Sequence, residues 1–263
     1  MPMWIAVVLL GIIEGITEFL PISSTGHLLI AEHWLDLKQS DLFNVVIQCG
    51  AVLAVLPLFP DRLRQFVFNW RERATQEYAG KILLAFVLTG IGGLLMKKMG
   101  LRLPEQLGPV AWAVFIGGIG FIAVEAWLKG RKLSEQVTWG MAIAVAVAQL
   151  LAAAFPGTSR SGATILIALV LGLSRVAATE FTFLVGIPTM LAAGTLEVYK
   201  ELKVAGVHSE DWTMVALGFA ISAIVSFLAV KWLLRYIQTH SFVVFGWYRI
   251  ALAVIIAVAL LRH

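Results

Sequence analysis

Residues 14–27 read Glu14-Gly-Ile-Thr-Glu18-Phe-Leu-Pro21-Ile-Ser-Ser24-Thr-Gly-His27, a polar segment set inside an otherwise apolar run from residue 3 to residue 30. A second run, 138–172, is apolar at both ends and is broken by Pro156-Gly-Thr-Ser-Arg160-Ser-Gly162. A membrane-spanning helix needs about 20 mostly apolar residues, and neither half of either run is long enough to cross alone. Irregular backbone at membrane depth is tolerated only where it is buried in protein or lines a wet cavity. Both runs are therefore expected to be re-entrant helical hairpins whose tips point into the bilayer.

Around these breaks, six stretches are long and apolar enough to span: roughly 41–60, 79–99, 109–129, 178–199, 213–235 and 242–262. The 263-residue chain is 60% hydrophobic and 14% charged, with a mean hydropathy of +0.89. A soluble domain carries roughly a quarter charged residues, and here the apolar excess runs along the whole chain. The expected fold class is an all-α integral membrane protein, six transmembrane helices plus two re-entrant hairpins. No linker interrupts it, so residues 1–263 read as a single membrane domain. Met1 to Trp4 holds no basic residue, and Glu14 and Glu18 interrupt the apolar stretch, so no cleaved signal is expected. Trp4, Trp70, Trp112, Trp127, Trp139, Trp212, Trp232 and Trp247 mostly fall near span ends, as an aromatic belt requires.

The two halves match. Each is one broken run followed by three spans, and Phe-Leu-Pro-Ile-Ser-Ser-Thr-Gly at 19–26 parallels Ala-Phe-Pro-Gly-Thr-Ser-Arg-Ser-Gly at 154–162. Three spans is an odd number, so the second copy must sit upside down relative to the first. An inverted-topology repeat of approximately 1–135 and 136–263 is expected, and matched interruptions of this kind point to a site near the bilayer midplane.

Charge orients the chain. Loops 61–81, 129–137, 174–176 and 231–241 hold eleven Lys and Arg, whereas the opposite face holds seven: Lys38, Lys97, Lys98, Arg102, Lys200, Lys203 and Arg262. By the positive-inside rule the first face is cytoplasmic, which puts both termini outside. The pI of about 9.3 thus reports orientation rather than a nucleic-acid partner. The single cysteine, Cys49, excludes an internal disulfide and a cysteine-based metal site.

Glu14 and Glu18 are four apart and share a helix face. Two carboxylates in a low-dielectric site are tolerable only with a cation, a shared proton or an opposing arginine. Ser23, Ser24 and Thr25 begin a new helix, where free N–H groups and the helix dipole favour an anion. His27 lies three residues beyond Ser24, within reach of it as a base. In the second break Thr158 or Ser159 can cap the restarting helix, Gly157 and Gly162 let backbone approach a ligand, and Arg160 can fork onto phosphate. An intramembrane arginine marks a functional site by default, with a phosphate and Glu14 or Glu18 as its expected partners. Asn44, Gln48, Gln149 and Glu180 can line the cavity or bridge helices by hydrogen bonds, and structural bridging is the preferred reading. Glu125, Glu197, Tyr248 and Arg249 lie nearer span ends and read as snorkelling side chains. His33, His208, His240 and His263 lie in loops or at the chain end and receive no role.

The segments at 14–27 and 156–162 resemble the signatures of the undecaprenyl-diphosphate phosphatase family of the bacitracin-resistance type, found in bacterial inner membranes. The likeness runs nearly the full length, including Ile-Gln-Cys-Gly-Ala-Val-Leu-Ala-Val-Leu at 47–56 and Glu-Phe-Thr-Phe-Leu-Val-Gly-Ile-Pro at 180–188. Cys49 and Thr158 depart from it conservatively. The resemblance implies removal of the terminal phosphate from undecaprenyl diphosphate, which recycles the lipid carrier of cell-wall synthesis and confers bacitracin resistance. It maps an acidic motif onto Glu14 and Glu18, a serine-histidine pair onto Ser24 and His27, and an arginine motif onto Ser159 and Arg160. Ser23, Thr25, Gly26, Gly157, Thr158, Ser161 and Gly162 would then line the substrate site. A divalent cation, Mg²⁺ or Ca²⁺, is implied as cofactor, with Glu14 and Glu18 to hold it. The expected partners are a polyprenyl diphosphate and membrane lipid, with no nucleic acid and with a homodimer left open.

The expected reaction is phosphoryl transfer to Ser24 with His27 taking its proton, followed by hydrolysis, with direct attack by water or by His27 itself left open as variants. The competing reading is an ion-coupled transporter or lipid flippase, since inverted repeats and midplane charges also serve transport. A coupling site needs no nucleophile beside a base, and here Ser24 and His27 supply both.

Overall fold

The structure, a computed structural model, describes residues 2–35, 40–101, 106–205 and 211–261. Lys38, Arg102 and Arg262 of the charge count, and His208 and His263, lie outside the described residues. Among the described residues the fold is entirely helical: α1 (Met3–Thr17), α2 (Ser24–Leu35), α3 (Asp41–Val55), α4 (Pro60–Phe68), α5 (Arg73–Met99), α6 (Leu107–Leu128), α7 (Trp139–Ala154), α8 (Arg160–Val170), α9 (Arg175–Ala205), α10 (Trp212–Tyr236) and α11 (Val243–Leu261). The one departure from helix and loop is an isolated bridge between Ser134 and Leu173.

Among the described residues, six helical segments, those of α3, α5, α6, α9, α10 and α11, are long and apolar enough to cross a membrane. They are the six stretches expected from hydropathy, with α5 and α9 extended at their ends, and they make the chain a multi-pass membrane protein. Large apolar side chains such as Leu83, Ile91, Leu94, Ile116, Ile224 and Leu228 face outward. Lipid tails are as apolar as leucine, so burial alone does not hold such helices together; close approach at small residues does. Gly11 and Gly15 of α1 lie against the α10 backbone at Gly218 and Ser222, and Gly246 of α11 lies against Gly118 of α6.

The packing order matters for the site. α1 packs on α10 and α10 on α3, whereas α7 packs on α5 and α5 on α9; α3 meets α9, and α6 pairs with α11. The two broken segments, α1–α2 and α7–α8, are thus each backed by a long span. Each break falls where hydropathy places it, with residues 18–23 and 155–159 non-helical. Phe19 from the first break packs edge-on against Phe183 of α9, ring centroids 4.9 Å apart, at the centre of the largest apolar cluster.

Two expectations at span ends are corrected. Glu125 is buried: its Oε1 accepts from Arg175 Nε and from the Phe242 N–H, both at 2.8 Å, and Arg175 Nη2 binds Oε2. It locks the end of α6 to the starts of α9 and α11 rather than snorkelling. Arg249 is completely buried and belongs to the site. Glu197 pairs with Lys200 at 2.8 Å, one turn further along α9.

Candidate active site

Both broken helices restart in the same way. Ser23 and Ser159 each carry a positive φ, 76° and 68°, a region that residues with a Cβ rarely adopt. Each serine then turns its hydroxyl onto the first turn of the new helix: Ser23 Oγ accepts from the Gly26 N–H at 3.3 Å, and Ser159 Oγ accepts from the Gly162 N–H at 3.1 Å. That capping bond satisfies one of the free donors of a helix start. Ser159 is the cap; the Thr158 hydroxyl donates instead to Phe155 O at 2.7 Å. The structural register is therefore Ser23-Ser24-Thr25-Gly26 on Ser159-Arg160-Ser161-Gly162, which puts Ser24 and Arg160 at equivalent places.

Those two side chains converge on one carboxylate. The Ser24 hydroxyl donates to Glu18 Oε2 at 2.8 Å, and Arg160 Nη2 donates to Glu18 Oε1 at 3.2 Å. Gln48 Nε2 of α3 adds a third donor, to Oε2 at 3.3 Å, so this residue belongs to the site rather than to helix bridging alone. Glu18 is 6% exposed and the Arg160 guanidinium stacks over the Phe19 ring, its Cζ 5.6 Å from the centroid. Arg160 Nη1 is buried without a hydrogen-bond partner. It sits against Gly186 of α9, where any Cβ would collide with it. Two residues on, Pro188 interrupts the α9 ladder, since proline removes one donor.

Glu14 lies one turn before Glu18, is 1% exposed, and has Oε2 unpartnered. Ser161 seals the two breaks together: its hydroxyl lies 3.3 Å from Glu18 O and 3.2 Å from Leu20 O, and 3.1 Å from Ser159 Oγ. Thr25 is half-buried and Gly26 buried on the first turn of α2. Gly157, at φ 90°, presses on α6 so closely that a Cβ would sit 2.9 Å from Val110 O.

His27 is placed otherwise than its spacing suggests. Its Nδ1 is 2.7 Å from Ser23 O and its Nε2 is 2.7 Å from the Tyr248 hydroxyl. Both ring nitrogens are thus committed away from Ser24, and Glu18 is the acceptor that Ser24 meets. Tyr248 reaches across from α11 to do this, which corrects its reading as a snorkelling side chain.

Arg249, the next residue, is the feature that sequence reasoning missed. Its Nε donates to Val114 O at 3.2 Å and Nη1 to Pro21 O at 3.3 Å. Nη2 faces Ala113 O at 3.2 Å, Gly157 O at 3.3 Å and Thr158 O at 3.0 Å. One buried cation thus ties the carbonyls of both breaks to α6, where Gly117 leaves room for the guanidinium. The signal available was the arginine itself, six residues inside a span, where charge is functional or structural by default.

The arrangement has a polarity. Helix C-termini present carbonyls and the negative end of the dipole, and N-termini present N–H groups and the positive end. Arg249 occupies the carbonyl side of both breaks. The starts of α2 and α8, with Arg160, are left to face an anion. Beyond Thr158 and Arg249, a nearly all-apolar groove of about 850 Å³ runs between α6, α7 and α8.

The family described as Bacitracin resistance protein BacA matches residues 7–255. An undecaprenyl-diphosphatase of Rhizobium etli is 54% identical over 254 residues, covering 96% of both chains. Its counterpart from Xanthomonas euvesicatoria is 51% identical over 252 residues, 94% of both. One from Xylella fastidiosa is 48% identical over 249 residues, 94% of this chain and 95% of its own. With a match over nearly its full length and half its residues shared with such relatives, the chain belongs to the bacitracin resistance protein BacA family.

Proposed function

We propose that the chain hydrolyses undecaprenyl diphosphate to undecaprenyl phosphate and inorganic phosphate, so returning the lipid carrier to cell-wall synthesis. The observation that carries this reading is the meeting of Ser24 and Arg160, one from each break, on the two oxygens of Glu18. The relatives named above as undecaprenyl-diphosphatases favour hydrolysis over an ion-coupled transporter or flippase.

The terminal phosphate binds between the starts of α2 and α8, its equatorial oxygens facing backbone N–H groups and the free Arg160 Nη1. Phosphoryl transfer needs positioning and charge stabilisation above all. Ser24 Oγ attacks the terminal phosphorus as its proton passes to Glu18 Oε2. The bond from phosphorus to the bridging oxygen breaks, and undecaprenyl phosphate leaves with the electron pair. Water then attacks the phosphoserine, one of its protons passing to a non-bridging oxygen of the phosphoryl group being released. Ser24 leaves, regains its proton from Glu18, and inorganic phosphate departs. The polyprenyl chain lies in lipid or in the apolar groove beside Thr158.

A divalent cation, Mg²⁺ or Ca²⁺, fits the acidic pair. Glu14 Oε2 is an unpartnered buried acceptor, and hard cations are held by one or two carboxylates together with substrate phosphate. Among the described residues no group of three or more His, Cys, Asp or Glu could hold a metal, so substrate oxygens would complete the shell. Bound there, the cation would neutralise charge on the diphosphate.

The fold reading belongs with this proposal: one membrane domain of two inverted repeats, about 1–135 and 136–263, with re-entrant breaks and both termini outside a bacterial inner membrane. The matching orders α1–α10–α3 and α7–α5–α9 support it. The deciding experiment is phosphate release from a C55 diphosphate by purified protein in detergent, with no gradient. Ser24→Ala and Arg160→Ala should each lose about 10³-fold or more, and chelation should abolish turnover. Full turnover in either variant, or none in wild type, would overturn the assignment.

A further inference from the structure

The His27–Tyr248 contact has chemistry that the phosphoryl-transfer scheme leaves unused. A carbonyl oxygen only accepts, so the 2.7 Å approach of His27 Nδ1 to Ser23 O means that Nδ1 carries a proton. An imidazole near neutral pH is mostly uncharged, and in that form, with Nδ1 protonated, Nε2 holds the lone pair. The Tyr248 hydroxyl, 2.7 Å away, then donates to it. The two ring planes are nearly parallel, 11° apart with centroids 5.6 Å apart, so the tyrosine ring also packs beside the imidazole that its hydroxyl meets.

We propose that Tyr248 is a positioning residue, acting through His27 on the peptide that presents Ser24. The chain of bonds runs from the Tyr248 hydroxyl to His27 Nε2, and from His27 Nδ1 to the carbonyl of Ser23. Ser23 is the residue held at φ 76°, and such a conformation persists only where its surroundings over-determine it. A second hydrogen bond holds it from within, its own hydroxyl accepting from Gly26. Rotation of the Ser23 peptide would swing Ser24 Oγ away from Glu18, and a misplacement near 1 Å can cost about 10²-fold in rate. Tyr248 and Arg249 are neighbours on α11, so a single helix pins both the tautomer of His27 and the carbonyl sides of the two breaks. The role rests on Ser24 as the nucleophile.

Tyr248→Phe removes the hydroxyl and keeps the ring. It should lower kcat about tenfold with KM within twofold, since the substrate is not touched. In a double-mutant cycle, Tyr248→Phe should add little to the loss already caused by His27→Ala, because residues in one chain of bonds are not additive. Nitrogen-15 spectra of histidine-labelled protein give an independent reading: the His27 Nε2 resonance should move in Tyr248→Phe while Nδ1 stays protonated. Wild-type kcat in Tyr248→Phe, fully additive losses, or a His27 protonated on Nε2 would each overturn the proposal. Failure of the nucleophile reading looks different, as turnover surviving in Ser24→Ala with the tyrosine-histidine coupling intact.

Discussion

Ser24 and Arg160 are each the first residue of a helix that restarts after a break, each follows a serine with positive φ, and each reaches Glu18. One is a hydroxyl and the other a cation. The backbone around them is nearly the same, two helix starts offering N–H groups to an anion, so the scaffold alone would bind phosphate without preference for direction. Direction comes from the side chains: the first break brings the acids and the attacking oxygen, the second the fixed positive charge. The second break also holds one residue more between its proline and its capping serine, Pro156-Gly-Thr-Ser159 against Pro21-Ile-Ser23. Gly157 absorbs it, at φ 90° and in a space where Val110 leaves no room for a Cβ.

The strongest way to break the comparison is to remove what both breaks share. Arg249→Leu takes away the donors of Pro21, Ala113, Val114, Gly157 and Thr158 carbonyls together. The Ala113 and Val114 carbonyls keep their bonds within α6, but those of Pro21, Gly157 and Thr158 lose their donor. A buried acceptor left unmet costs about 1–3 kcal/mol before relaxation. Even with partial relaxation a loss of about 3 kcal/mol is expected, which lowers Tm by roughly 10 °C for a chain of this size. Turnover should fall by about 10²-fold because both helix starts shift. Thermal unfolding in detergent with a parallel rate measurement checks it. An unchanged Tm would mean that the breaks are held by their own spans and not by this clamp.

Gly186→Ala touches the second break alone. The added methyl occupies the place of Arg160 Nη1 and leaves the Ser24–Glu18 bond untouched. Loss of one such charge-stabilising contact costs about 10²-fold in kcat, with Arg160 displaced rather than deleted. Unaltered turnover would show that the guanidinium can work from elsewhere in the site.

How much of this could be read from residues alone follows from what hydropathy measures. It registers length and apolarity, so the six spans, the two interruptions and the residues inside them were legible: Glu14, Glu18, Ser24 and Arg160 stand where the spacing put them. Register within the breaks was not, because the equivalence of Ser23 with Ser159 depends on which residue takes the positive φ, and the proline offset by one hides it. Lateral partners were also beyond reach. Glu125, Tyr248 and Arg249 lie three to six residues inside their spans, where the sequence marks the polar side chain but not which neighbouring helix it meets. For His27 the motif gives the neighbourhood but not the hydrogen-bond partners: three residues of helical spacing bring it near Ser24, while the Ser23 carbonyl and the α11 hydroxyl claim its nitrogens.

The smallest effect separates the two capping serines. Replacing Ser159 with alanine removes the bond to the Gly162 N–H and keeps a Cβ at φ 68°, a loss of about 1 kcal/mol. Replacement with glycine removes the same bond but frees the backbone from its strained conformation, so stability should stay within about 0.5 kcal/mol of the wild type. The same order, glycine above alanine, is expected at Ser23. Activity should part them. At Ser23 the strained peptide is also the one that His27 holds, so Ser23→Gly gains freedom where Ser24 has to be aimed and should lose turnover more than Ser159→Gly does. Equal losses at both positions would mean that the two helix starts share the aiming of the phosphate, and that the asymmetry between the breaks lies only in Ser24 and Arg160.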